Sequence, residues 1–211
     1  GDCMALFLEK GEQIRQSGGV FQFFLGSDSR ITDVFVMKPS MKSYAERFGD
    51  FVINDGTHGV DKYDLIGMFN TLVDSLGKSI MHSYSQYRSE QSDHIIQGMR
   101  YLGLCTNDGV VLMTDDGPAY HLVADALHVT HLLCTKHYHN FIFSSKAGLG
   151  TLSAAFEADM FSAIYKNFQS PENLSAHLHL CKQQYAHVAA AKKFMTALDS
   201  DQRLVCRTHT I

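Results

Sequence analysis

Two aspartates and a Cys-x-x-His pair are the residues of this sequence best suited to chemistry. Asp55 closes the apolar run "FVIND" and Asp115 closes "VVLMTD", so each carboxylate falls where a buried strand gives way to polar chain. Open α/β sheets bind ligands beyond the carboxyl ends of their strands. Two acids brought together there repel unless a divalent cation lies between them, and two such cations can assist phosphoryl transfer. A plainer reading stands beside this one, because Asp55-Gly56 and Asp116-Gly117 are also turn signals. Further along, "HLLCTKHYHN" sets Cys134 and His137 at the spacing of half a zinc site, with His139 close by. His177 and Cys181, four apart on one predicted helix face, are the ligands on offer to complete it. The competing role for Cys181 is core packing, in a stripe with Leu174, Leu178, Tyr185 and Val188. His137 and His139 serve equally well as strand-end residues bonded to backbone carbonyls. Cys134 as a nucleophile is disfavoured, since a strand lacks the features that lower a thiol pKa.

The elements needed to position these groups follow from periodicity and punctuation. A short amphipathic helix over Ala5 to Gln16 stops at Gly18-Gly19. "VFQFFLG" and "ITDVFVMK" read as a hairpin across the turn "SDSR", and "PSMKSYAERFG" as an irregular or helical connection. "DFVINDGTHG", "LIGMFNTLV" and "SIMHSYSQYR" are three strands, followed by a helix over "SEQSDHIIQGMRYLG" that Gly103 caps. The strand ending in Asp115 precedes a helix from Ala119 to Leu127 and a strand from His131 to Cys134. That order predicts a mixed α/β sheet with flanking helices. Beyond Phe143 the pattern is all-helical: "LSAAFEADMFSAIYKNF", then one long helix from Ser170 as N-cap and Pro171 at its first position. The divisions expected are a lead-in over 1–19, a core over 20–143 and a helical extension or insertion over 144–211.

Composition narrows the function classes. The chain of 211 residues, 45% hydrophobic, has enough apolar content for a globular core. No run reaches membrane-span length, and the first residues carry charges where a signal peptide is apolar. Five scattered cysteines suit a reducing compartment better than a disulfide framework. The net charge of −4 is not that of a typical nucleic-acid binder, but the acids are concentrated in the first 140 residues, with the two candidate aspartates. The 14 Phe and 9 Tyr fall mostly in strand and helix stripes and read as core packing, not as a base-stacking surface.

Taken in order, "FVINDGTHGVDKYDL", "VVLMTDDGPAYHLVADAL" and "HLLCTKHYHN", led in by the hairpin and helix from Val20, resemble the MULE (Mutator-like element) transposase domain across about residues 20 to 165. The resemblance implies an RNase H-like fold that sets Asp55 and Asp115 side by side. It further implies a DDE triad acting on DNA phosphodiesters at transposon ends through Mg²⁺ or Mn²⁺, and an intracellular, nuclear setting. By position Asp55 is the first acid and Asp115 the second, while Asp116 falls where the family varies. Cys134 and His137 match a recurrent Cys-x-x-His of the family, with Zn²⁺ as the candidate ligand. The family's third acid, a Glu opening a helix after an insertion, has no counterpart after Ala147. Glu157 and Glu172 read as structural. The resemblance therefore supports two functions: a metal-dependent strand-transfer enzyme that cannot cut DNA as this chain alone, or a transposase-derived module that binds DNA or protein partners.

Overall fold

The computed structural model describes residues 3–59, 65–106, 108–115, 117–134, 136–137, 140, 148–165 and 171–200. Asp116 and His139 lie outside the described residues. The chain divides into two compact units, 1–131 and 132–211.

The first unit opens with helix α1 (Cys3–Gln16) and the hairpin β1 (Val20–Leu25) and β2 (Ile31–Met37). Pro39 at the first helical position starts α2 (Pro39–Phe48), so "PSMKSYAERF" is a regular helix and not an irregular link. Three strands follow, β3 (Phe51–Thr57), β4 (Ile66–Val73) and β5 (Ser79–Tyr87), then α3 (Ser92–Tyr101), β6 (Val111–Thr114), α4 (Ala119–Leu127) and β7 (Thr130–Leu133). One seven-stranded sheet results, in the order β1-β2-β5-β4-β3-β6-β7. The pairs β1–β2, β2–β5, β5–β4 and β4–β3 are antiparallel, whereas β3 and β6 are parallel. The mixed α/β architecture matches the expectation from the sequence.

Alternation along the strands sorts the sheet into two faces. Phe35, Val52, Met68, Leu72, Tyr87 and Leu112 are buried in one core with Ile95 and Met99 of α3 and Tyr120 and Val123 of α4. Gly98 lets α3 approach this face closely. A Cβ there would lie 2.2 Å from the Tyr87 hydroxyl and 2.7 Å from the Phe35 ring. Beyond Tyr101 the helix closes as a Schellman turn, with Gly103 at φ 64° and bonds from Leu104 N–H to the Met99 carbonyl and from Gly103 N–H to the Arg100 carbonyl. On the other face Phe69 and Met81 remain exposed.

A bulge interrupts the pairing of β4 with β5. Asn70 faces Ser83 and Thr71 faces Met81, so His82 is the extra residue. Its insertion lets both His82 and Ser83 be buried, against strict alternation.

In the second unit a 3₁₀ turn, Gly150–Leu152, leads into α5 (Ser153–Tyr165), followed by α6 (Pro171–Gln184) and α7 (Ala189–Ser200). The single long helix expected from the sequence is therefore two helices. No Gly or Pro marks the break at 185–188. Packing causes it instead: Phe156 meets Tyr185 and Phe194 edge-on at 5.1 and 5.3 Å, and the Tyr185 hydroxyl donates to Asp159 Oδ2 at 2.6 Å. A straight helix would carry α7 past that small core, so tertiary contacts override local propensity.

Burial holds the His82 imidazole neutral and moves its pKa from 6.5 down to about 4. Between those values the unfolded chain binds the proton and the folded chain does not. Stability is therefore complete above pH 6.5 and declines as pH falls toward 4, by about 3 kcal/mol in full. The expected result is a urea midpoint that drops across this window, with a smaller drop in His82→Gln. Equal drops in the two proteins would remove His82 as the cause.

Candidate functional site

The parallel register of β3 and β6 places the two candidate acids. Phe51, Val52 and Ile53 pair with Val111, Leu112 and Met113, and the same register carried two residues past this pairing brings Asp55 level with Asp115, just beyond the end of β6. Asp115 follows the last residue of β6, as expected for a strand-end acid. Asp55 instead lies inside β3, two residues short of its end, and Gly56 pairs with Met68 within the ladder. The Asp55-Gly56 dipeptide is therefore strand, not turn. The Asp115 carboxylate is held by its own turn, since Oδ1 accepts the Gly117 N–H at 3.0 Å on the way into α4.

Behind the acids lies a buried polar chain. Asn54, 2% exposed, donates from Nδ2 to Asn70 Oδ1 at 2.7 Å, and its own Oδ1 accepts the Tyr120 hydroxyl. Thr114, immediately before Asp115, donates to the Asp115 carbonyl at 2.7 Å. That hydroxyl has one proton, so its 2.8 Å contact with His131 Nε2 must be the imidazole N–H donating to Thr114. Backbone on both sides of Asp115 is thus tied to neighbouring groups.

A further carboxylate lies by the end of β3. Glu90 sits between β5 and α3, with Oε2 4.0 Å from His58 Nε2. A Cβ on Gly56 would stand 3.4 Å from Glu90 Oε1, so the glycine after Asp55 leaves room for this carboxylate over the end of β3. Burial raises the Glu90 pKa first, and the negative charges of Asp115 and, more weakly, Asp55 add to it; His58 and a hydrogen bond from Tyr120 oppose the rise. Burial also pushes the Tyr120 phenol up, helped by Glu90 and Asp115.

No family model matches this sequence, and no curated protein does.

Sequence reasoning found Asp55 and Asp115 and missed Glu90. The signal for it was modest: an acid ending the β-β-α segment between the two aspartates, easily read as the polar start of α3. Carboxylate oxygens are hard donors of the kind that Mg²⁺ and Mn²⁺ prefer, and mutual repulsion among three acids is what a divalent cation relieves. Among the described residues, however, no three His, Cys, Asp or Glu side chains stand close enough to hold a metal ion without rearrangement.

The proposed zinc residues are arranged otherwise. Cys134 directly follows β7 and His137 lies three residues on. On α6, His177 Nε2 is 2.9 Å from the Asp159 carbonyl and 3.7 Å from Cys181 Sγ. Cys181 is 3% exposed within the small helical core, and burial raises its thiol to about 11. The described residues thus support the packing role for Cys181. Glu157 lies within α5 and Glu172 in the first turn of α6, where an acid favours the helix dipole.

The buried chain yields a measurable expectation. Tyr120→Phe removes the only hydroxyl that reaches Asn54 Oδ1 among the described contacts, at a cost of about 1–3 kcal/mol for the polar group left behind. Denaturant unfolding measures it. A loss well under about 0.5 kcal/mol would mean that this hydroxyl does not hold α4 to β3.

Proposed function

We propose that this chain is an RNase H-like core of the MULE transposase kind, built for metal-dependent cleavage and transfer of DNA strands. The observation that carries this reading is the β3–β6 register, which brings Asp55 level with Asp115 at the common end of the two strands. The sheet order supports it: three antiparallel strands β3, β4 and β5, a helix, then β6 parallel to β3 on its other side. The sequence resemblance is independent of that order and names the same two aspartates.

Asp55, Asp115 and Glu90 are the residues that would hold Mg²⁺ or Mn²⁺, which when bound activates an attacking oxygen and balances charge on the phosphate. The rest falls to the chain itself. The Asp115 carboxylate is oriented by the Gly117 N–H, and its carbonyl by Thr114. Asn54 and Tyr120 fix β3 against α4 beneath the acids. Glu90, at the strand-to-helix junction before α3, is the acid proposed here as a third carboxylate beside Asp55 and Asp115.

A second reading has its own support. The three acids do not close on one point as they stand, and no segment of residues 148–211 resembles the one that carries the family's Glu. A DNA- or protein-binding module derived from a transposase is consistent with both facts.

The experiment uses the whole chain, supercoiled plasmid DNA and MnCl₂. The sequence implied that this chain alone cannot cut DNA; with Glu90 proposed as a third carboxylate, the expected results are instead Mn²⁺ binding, seen as paramagnetic broadening near Asp55 and Asp115, and nicking that falls by about a hundredfold or more in Asp55→Asn, Asp115→Asn and Glu90→Gln. DNA bound without nicking selects the binding module. Nicking unchanged by all three substitutions, or no Mn²⁺ binding, overturns the enzyme reading.

A further inference from the structure

Away from the carboxylates, the His82 bulge opens onto a cavity of about 450 Å³ walled by α2, the end of α3 and the chain that follows it. This volume is within the range of small-molecule pockets, roughly 300–1,000 Å³. His82 is fully buried, its Nδ1 lies 3.0 Å from Ser83 Oγ, and its Nε2 has no hydrogen-bond partner among the described residues. Bulges recur where a side chain must be re-aimed, and here the bulge sends a histidine to the cavity wall.

The remainder of the lining defines the ligand. Met37 and Leu102 supply apolar wall, while Lys42 and Arg100 bring two cations against the single acid Glu46. Neither cation forms an ion pair with a described residue. Cys105, also in the lining, has φ 55°, a left-handed conformation uncommon outside glycine. Its strained backbone turns the segment after α3 along the cavity. We propose that this cavity binds a small organic carboxylate with an apolar body, the carboxylate meeting Arg100 and Lys42 and the body packing on Met37 and Leu102. The site is separate from the Asp55–Asp115 region and does not rest on the transposase reading.

The test follows the Met37 methyl and His82 Cε1–H resonances while the whole chain is titrated with 1-naphthoate or with uncharged 1-naphthylmethanol. Expected are saturable shifts with naphthoate and binding at least about tenfold weaker for the alcohol, as for loss of a charge-assisted contact. Arg100→Gln, at an exposed position, should keep the fold by circular dichroism and weaken naphthoate by about tenfold. Absence of a saturable shift, equal affinity for acid and alcohol, or undiminished binding in the folded Arg100→Gln protein would each overturn the proposal.

Discussion

Three buried side chains that hydrogen-bond in series, Tyr120 to Asn54 to Asn70, set the geometry on which the first unit depends. They come from α4, β3 and β4, and none has water to fall back on. Asn54 and Asn70 are direct register partners, so a slip of one residue would separate the amides and turn both toward the wrong face. Two unsatisfied amides in an apolar core would cost several kcal/mol, a large share of the stability of a single domain. Apolar pairs elsewhere in the sheet tolerate small displacements; this chain of polar groups does not. The level at which Asp55 stands is therefore fixed by the residue before it.

From β3 outward the consequences follow in order. The strand is antiparallel to β4 on one side and parallel to β6 on the other, so the carboxyl ends of β3 and β6 open in the same direction. That common end is where α/β sheets leave room for ligands. The first connection out of β6 turns at once through the Asp115–Gly117 bond into α4, whose Tyr120 returns to Asn54. Site and scaffold thus share residues: the turn that presents Asp115 also launches the helix that locks β3.

Legibility in the sequence followed the range of the interactions. Strands β1 to β7 and helices α1, α3 and α4 were readable because their apolar period and their stops at Gly18, Gly103 and Gly117 are local. Asp115 was readable for the same reason, as an acid ending an apolar run. Glu90 was not, because its place beside Gly56 at the end of β3 comes from the fold, and no spacing along the chain reveals it. The His82 bulge was hidden too, since "SIMHSYSQY" alternates acceptably until it is paired with β4. The break between α6 and α7 belongs to Tyr185 and Phe156, partners 29 positions apart, and it has no punctuation of its own. The ambiguity at Cys181 was of a different kind. One stripe suits both a ligand and a core residue, and only its burial against the helical core distinguishes them.

Tyr120 connects the stability of the fold to the charge at its surface. Its phenol is pushed upward by burial and by nearby negative charge, so at neutral pH it keeps its proton and acts as a donor. That donor goes to Asn54 Oδ1, so the hydroxyl that secures β3 against α4 is one whose proton the surrounding burial and negative charge retain.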